Sequence, residues 1–314
     1  MNIINNIKYQ YNYKILKDLI EGNDYQSFFE KLKSTSANKK IYLQLLSNLG
    51  NTAIQNYNEE IFQTKIVWIN SYMSEDSKYV ENFIKFYLNH FDENININNY
   101  EEEVINILEH YENVKEINFN DLVNYSYLYQ FLILEKNRSK KFLSNQMPFF
   151  SFNNKLNFTK PNLTQCYFFI IDHPYGIYKK IKKLNHNNVE VSRNIFLNLD
   201  NQSNPTNFKN TKIDLNKKGW HTHANSWLDS NVLNSLNGKI LIKKDIVNQT
   251  FDVLSSVILH LLQSGSKIEL DYNLIQKFID QHPSLKMDDD IDLSQKEKKF
   301  LDPYVDEIVK SLNF

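Results

Sequence analysis

The sequence predicts an α/β protein, because a buried strand followed by an amphipathic helix occurs three times along the chain. The strands are residues 66–69, 166–171 and 240–242, and each is a continuous apolar run, as expected of strands covered on both faces. After each run, apolar residues recur at spacings of three and four, which is the pattern of a helix that buries one face. This alternation is typical of a parallel sheet flanked by helices.

Composition sets limits on the class of protein. The 314 residues can bury a full-sized core, and 36 Lys and Arg against 37 Asp and Glu give a net charge of -1, which favours neither nucleic acid nor an acidic membrane as a partner. The single Cys166 excludes an intramolecular disulfide and a cysteine-based zinc site. The N-terminus lacks the apolar core of a signal peptide, and no run approaches the roughly 20 apolar residues of a membrane span. We therefore expect a soluble, cytoplasmic protein.

Residues 1–63 predict a helical N-terminal extension that precedes the α/β domain. Three apolar groups indicate three helices, the last ending near Gly50. A small appendage packed on the main domain is one interpretation. A module that dimerises or binds a protein partner is the other, and no repeat period decides between them.

Residues 65–91 predict the first strand, a short polar loop and a helix, and they also carry a family motif. The sequence KIVWINSYMSEDSKYVENFI matches the pattern K-I-[IV]-W-I-x-S-Y-P-K-S-G-N-T-W-[VL]-R-x-F-L without a gap at Lys65, Trp68, Ser71, Tyr72 and Phe83. This stretch resembles the opening of the bacterial PAPS-dependent sulfotransferase family. The resemblance implies a three-layer sandwich with a P-loop-like nucleotide site, and a reaction that transfers a sulfuryl group from PAPS to a hydroxyl or an amine.

Three later segments resemble the same family in the right order. Residues 165–183 match a strand followed by a helix that begins at Pro174. The backbone N–H groups in the first turn of a helix have no partner within the helix, so a proline at this position costs no hydrogen bond. Residues 218–228, KGWHTHANSWL, match the pattern S-W-x-x-H-[VA]-x-S-W-[LI], and residues 238–262 match a further strand and helix. The resemblance covers about residues 64–281 and implies an α/β domain over 64–285. Residues 286–314 depart from the family and are predicted to form a polar linker and a C-terminal helix.

The positions that the family uses for PAPS chemistry are changed in this chain. The resemblance places Ser74 at the phosphate-binding lysine, Asp172 at an arginine that clamps the 3′-phosphate, and Lys180 at a serine that helps it. A strand expected in 147–156 would place Asn153 at the histidine base, although asparagine cannot take a proton at neutral pH. The glycine-containing closing loop is missing, since no glycine follows Gly265.

Two hypotheses for function follow from these substitutions. The first is a catalytically degenerate sulfotransferase-like protein, with no cofactor, that binds a carbohydrate or a lipid headgroup or serves in assembly. The second is an active transferase that retains PAPS at a rebuilt site, with Lys78 and Lys180 for charge and His173 or His223 as the base. The candidate nucleotide-binding residues are Ser74, Ser77, Lys78, Asp172, Lys180 and Trp220.

A metal site is not expected. His221 and His223 are two residues apart and point to different sides of a helix. The acidic run at Asp288, Asp290 and Asp292 lacks the central glycine and the terminal glutamate of a calcium loop.

Overall fold

The computed structural model describes most of the α/β domain and a few positions before it. The described residues are 14–16, 18, 27, 31, 65–91, 95–108, 116–117, 126, 129–130, 133–134, 141–149, 151–152, 155–156, 158–198, 205–208, 211–214, 219–282 and 293–314. The described positions before residue 32 are helical. The rest of the predicted N-terminal extension lies outside the described residues, so its extent and its boundary at residue 63 stay predictions.

A parallel sheet of five strands forms the centre of the protein. Its order is β10-β7-β1-β4-β2, and every neighbouring pair is parallel. Two short sheets, β3-β9-β8 and β5-β6, lie apart from it. The strands are β1 (Ile66–Ser71), β2 (Ile97–Asn99), β3 (Glu116–Ile117), β4 (Lys141–Asn145), β5 (Ser151–Phe152), β6 (Lys155–Leu156), β7 (Thr164–Ile171), β8 (Pro205–Phe208), β9 (Thr211–Asp214) and β10 (Gly238–Ile242).

Helices cover both faces of this sheet and complete a three-layer α/β sandwich, as the sequence predicted. The described helices are α1 (Ser74–Phe91), α2 (Tyr100–Leu108), α3 (Pro174–Leu184), α4 (Val189–Leu197), α5 (Trp220–Leu228), α6 (Ser230–Ser235), α7 (Lys243–Asn248), α8 (Thr250–Gln263), α9 (Tyr272–Gln281) and α10 (Gln295–Leu312). No helix among the described residues is long and apolar enough to cross a membrane.

Alternation along β1 explains why the sheet has two apolar faces. Ile66 and Trp68 belong to a core cluster with buried residues of α3, α4, α5 and α10. Val67 and Ile69 belong to a second cluster with buried residues of α1, α8 and α9. Successive side chains of a strand point to opposite faces, so a continuous apolar run is what this position requires. The C-terminal helix α10 contributes to the same core cluster as Trp68.

Two expectations about local structure need correction, and a third is confirmed. The sheet strand expected in 147–156 is wrong, because the strand that pairs with β1 is β4, and the described residues of 151–156 form the small antiparallel pair β5-β6. The polar segment 198–210, expected to be an irregular loop, contains β8. The helix that follows β7 does begin at Pro174, with His173 as its N-cap.

Candidate functional site at the carboxyl edge of the sheet

The order of the strands identifies one place in the fold where a ligand site is expected. From β1 the chain proceeds to β2 and β4 on one side of the sheet, whereas β7 leads to β10 on the other side. The strand order therefore reverses between β1 and β7, and open α/β sheets bind ligands at the carboxyl ends of the strands at such a point. Ser71, Asp172 and Lys243 end or directly follow β1, β7 and β10.

Two aspartates and two lysines meet at this edge. Lys180 of α3 donates to Asp76 Oδ1 at 2.5 Å and to Asp172 Oδ2 at 2.8 Å. Lys243, the first residue of α7, donates to the same Asp172 oxygen at 3.0 Å and lies 3.6 Å from Asp76 Oδ1. We call these four residues the ion-pair cluster. It ties the start of α1 to the carboxyl ends of β7 and β10.

Burial makes this cluster electrostatically important. The side chains of Asp76, Asp172 and Lys243 are at most 6% exposed, and that of Lys180 is 17% exposed. Burial raises the pKa of Asp76 above its ordinary value, and the attraction of Lys180 opposes that shift. For Lys180 burial lowers the pKa, but Asp76 and Asp172 outweigh it, so the pKa is raised and the lysine stays charged. Buried charges of this kind need partners with good geometry.

The position of Asp76 is informative because it lies in the first turn of an 18-residue helix. The start of a helix after a parallel strand presents backbone N–H groups and a positive partial charge, and it is where such folds bind phosphate. Here a carboxylate of the chain itself lies there, facing two lysines. The cluster contains two acidic and two basic groups, so its formal charge is neutral and it offers no net attraction to an external anion.

His173 has a structural task at the same edge. Its Nδ1 accepts a hydrogen bond from the backbone N–H of Tyr175 at 3.2 Å and so caps α3. Its ring contacts Tyr175 and, at 5.3 Å between centroids, Phe314. Burial lowers the pKa of His173, while Asp172 opposes that shift, so the neutral ring is favoured. The nitrogen that a base would use is therefore engaged in holding the helix.

His223, the other predicted base, is a fully buried residue of α5. Its Nε2 is 3.1 Å from the carbonyl oxygen of Gln146, which directly follows β4. The ring packs edge-on against Tyr72, at 5.3 Å between centroids, and in a tilted arrangement against Phe169 at 5.8 Å. Because a carbonyl only accepts, this nitrogen is the protonated one, and the histidine links α5 to the end of β4.

A pair of buried asparagines lies between the carboxyl ends of β1 and β4. Asn145 donates from Nδ2 to Asn70 Oδ1 at 3.1 Å and to the carbonyl of Met147 at 3.2 Å. The Nδ2 of Asn70 has no hydrogen-bond partner among the described residues. Buried amides usually find a partner, so an unpaired neutral donor at this edge is an exception.

The structure disperses the other predicted site residues. Ser77 donates to Glu81 within α1 at 2.5 Å, and Lys78 is exposed on the same helix. Trp220 is a core residue stacked on Phe196 at 5.9 Å between centroids. The backbone of Ser74 begins α1, but its side chain lies outside the described residues, and so does the whole of Asn153. Of the six candidate nucleotide-binding residues, the structure joins Asp172 and Lys180 directly.

Sequence reasoning missed Asp76 and Lys243 as members of one site. Lys243 carried a usable signal, since it directly follows a buried strand and the ends of parallel strands converge on one edge. Asp76 carried none, because its partner Lys180 is 104 residues away in the chain.

No metal centre is visible in the described part of the chain, where no three His, Cys, Asp or Glu side chains come together. Asp288, Asp290 and Asp292 lie outside the described residues. No protein-family model matches this chain, and no curated protein matches it either.

Proposed function

We propose that this protein is a sulfotransferase-like α/β protein that no longer transfers sulfuryl groups from PAPS and instead acts in binding or assembly. The observation that carries the proposal is the ion-pair cluster at the carboxyl edge. A nucleotide phosphate at this edge needs uncompensated positive charge, and here both lysines are held by carboxylates at 2.5 to 3.0 Å.

Displacing those carboxylates by a nucleotide has a high energetic cost. Asp76 and Asp172 are buried, and removing one partner of a buried ion pair typically costs about 3–5 kcal/mol. An incoming phosphate would have to compensate for two such losses before it gained any affinity. The proposal therefore includes the absence of a PAPS cofactor.

The two histidines support the same conclusion. The geometry commits Nδ1 of His173 to the N-cap of α3 and Nε2 of His223 to the carbonyl of Gln146. A general base must reach the acceptor hydroxyl within hydrogen-bond distance, with its lone pair available. His173 does not meet that requirement without giving up the bond that caps α3, and the ring of His223 is fully buried against Tyr72 and Phe169, out of reach of an acceptor hydroxyl.

One observation favours a second candidate, a group transferase with a rebuilt site. Lys180 and Lys243 both lie at the switch point beside the start of α1, which is where a phosphate would be stabilised. In this candidate the anion replaces Asp76 and Asp172 as the partner of the two lysines. Lys78 lies one turn further along α1 and would add charge at the mouth of the site.

For the binding function, a neutral ligand rich in hydroxyl groups suits this edge better than an anion. The unpaired Nδ2 of Asn70 is a neutral donor near the carboxyl end of β1, and the ion-pair cluster at the same edge of the sheet has no net charge. A carbohydrate or a lipid headgroup is the ligand class that we propose. A cytoplasmic location completes the proposal, supported by the single buried thiol of Cys166.

Calorimetric titration separates the two candidates. PAPS and adenosine 3′,5′-bisphosphate are added at low salt to the wild-type protein, to Lys180→Ala and, as a matched lysine control outside the cluster, to Lys267→Ala. The degenerate protein shows no heat even at millimolar nucleotide. Micromolar binding that Lys180→Ala abolishes and Lys267→Ala leaves intact would establish the transferase instead.

A further inference from the structure

The corner between α3 and α4 exposes an unusual number of apolar side chains. Leu184, the last residue of α3, is 65% exposed, and Val189 and Val191, in the first turn of α4, are 41% and 42% exposed. They are three of the seven exposed large hydrophobic residues in the described part of the chain, and they fall within eight positions of one another. We call Leu184, Val189 and Val191 the apolar tip.

The backbone holds this tip in one shape. His186 and Asn187 adopt positive φ angles of 53° and 62°. Their N–H groups bond to the carbonyls of Lys183 at 3.3 Å and Lys182 at 2.8 Å, which is the Schellman ending of a helix. Asn188 then caps α4 by accepting from Val191 N at 3.1 Å. The apolar side chains are thus presented by a capped turn.

The charges around the tip are mainly positive. Lys183 is exposed in the last turn of α3, and exposed Arg193 follows one helical turn after Val189 with its guanidinium over the ring of Phe300. Lys182 is neutralised by Glu297 at 2.6 Å. Glu190 is the one exposed acidic residue between Leu184 and Arg193. Apolar side chains that protrude beside basic ones match the interface of an anionic bilayer, where the chains insert and the cations meet lipid phosphates.

We propose that the apolar tip docks this protein reversibly on an anionic lipid surface. A protein partner fits less well, because interface hot spots are enriched in Trp, Tyr and Arg at the centre of a flat patch, whereas this is a narrow corner of Leu and Val. The helix α3 begins at the carboxyl edge of the sheet and runs back, so the tip lies at the amino edge. Docking there leaves the carboxyl edge of the sheet, where the ion-pair cluster lies, on the side away from the lipid.

The expected affinity is low. The net charge of the chain is -1, so attraction depends on the local charges and not on a global field. A few cations near the surface raise partitioning to anionic membranes by about fivefold each, and three partly inserted aliphatic side chains add to that. Binding should therefore be reversible and should weaken as salt is raised.

Co-sedimentation with vesicles tests the proposal on the full chain. Vesicles of phosphatidylcholine with phosphatidylserine are compared with vesicles of phosphatidylcholine alone, for wild type and the double variant Leu184→Ser/Val189→Ser. The matched control is Leu259→Ser, which changes an exposed leucine on α8. We expect wild type and Leu259→Ser to sediment with the anionic vesicles only, and the tip variant to lose at least about tenfold in partitioning.

The role of charge has its own pair of variants. Lys183→Glu is expected to reduce binding to the anionic vesicles by at least about tenfold, since it reverses one charge, whereas Lys267→Glu at another exposed lysine leaves binding unchanged. No sedimentation of the wild type, or equal binding to both kinds of vesicle, would overturn the proposal. A concentration-dependent dimer that Leu184→Ser/Val189→Ser abolishes would also overturn it, because the tip would then contact a second copy of the chain.

Discussion

Replacing Lys243 with methionine tests the ion-pair cluster as a feature that holds the fold together. Methionine keeps most of the aliphatic stem and removes the charge, so Asp76 and Asp172 face Lys180 alone. Removing one partner of a buried ion pair costs about 3–5 kcal/mol, and we expect a value near the lower end because Lys180 still bonds to both carboxylates. Domains are stable by about 5–15 kcal/mol, so the variant should fold with a clear deficit.

Urea unfolding followed by far-ultraviolet circular dichroism gives the free energy from the midpoint and the slope. Adding Asp172→Asn to Lys243→Met should recover part of the loss, because it removes the carboxylate that lost its partner. We expect a coupling energy of about 0.5–3 kcal/mol between the two sites, the range for residues in one network. The control Lys267→Met, at an exposed lysine, should leave the midpoint nearly unchanged. A loss below about 1 kcal/mol for Lys243→Met, or simple additivity in the double variant, would refute the reasoning.

Three further predictions concern pH and close packing. Burial lowers the pKa of His173 below 6.5, so the contribution of this residue to stability is present above pH 6.5 and is lost as pH falls through the folded-state pKa. The variant His173→Ser retains a capping oxygen but does not titrate, so urea unfolding at successive pH values should show a smaller loss of stability at low pH. The raised pKa of Lys180 has the opposite consequence. Its contribution to the free energy of unfolding is fully present below pH 10.5 and declines above that pH, so Lys180→Met should remove part of the loss of stability at alkaline pH. Gly238→Ala should cost about 1–3 kcal/mol in urea unfolding, because a Cβ there would lie 2.3 Å from the Tyr167 ring; an unchanged midpoint would contradict the packing at that point.

The sequence predicted those parts of the fold that depend on local patterns. Continuous apolar runs marked β1, β7 and β10, and the spacing of apolar residues marked the helices after them, because periods of two and of 3.6 are properties of neighbouring residues. Pro174 marked the start of α3 for the same reason, since the first turn of a helix tolerates a missing N–H.

The misplaced strand shows where local pattern fails. The five residues of β4, KFLSN, contain only two large apolar side chains, whereas the following MPFF looks more like a buried strand. Pairing with β1 on one side and β2 on the other selects Lys141–Asn145. Such pairing is a tertiary contact, and tertiary contacts override the propensity of a short segment.

The candidate site could be located from sequence but not assembled. Asp172 and Lys180 were each recognised at substituted positions. Their bonds to Lys243 and Asp76 join residues 71 and 104 positions apart, and only the order of the strands brings them to one edge. As a result, Lys180 was predicted as a ligand for an anion, whereas it is bonded to two carboxylates of the chain.

The most direct test of the central claim compares stabilisation by adenosine 3′,5′-bisphosphate in the wild type and in Asp76→Asn/Asp172→Asn. A ligand that binds only the folded state raises the unfolding temperature, and the double variant leaves two buried lysines without carboxylates. The account predicts no specific rise for the wild type and a clear rise for the double variant. A rise in the wild type that equals or exceeds that of the variant would contradict it, because the carboxylates would then not take the place of an anion.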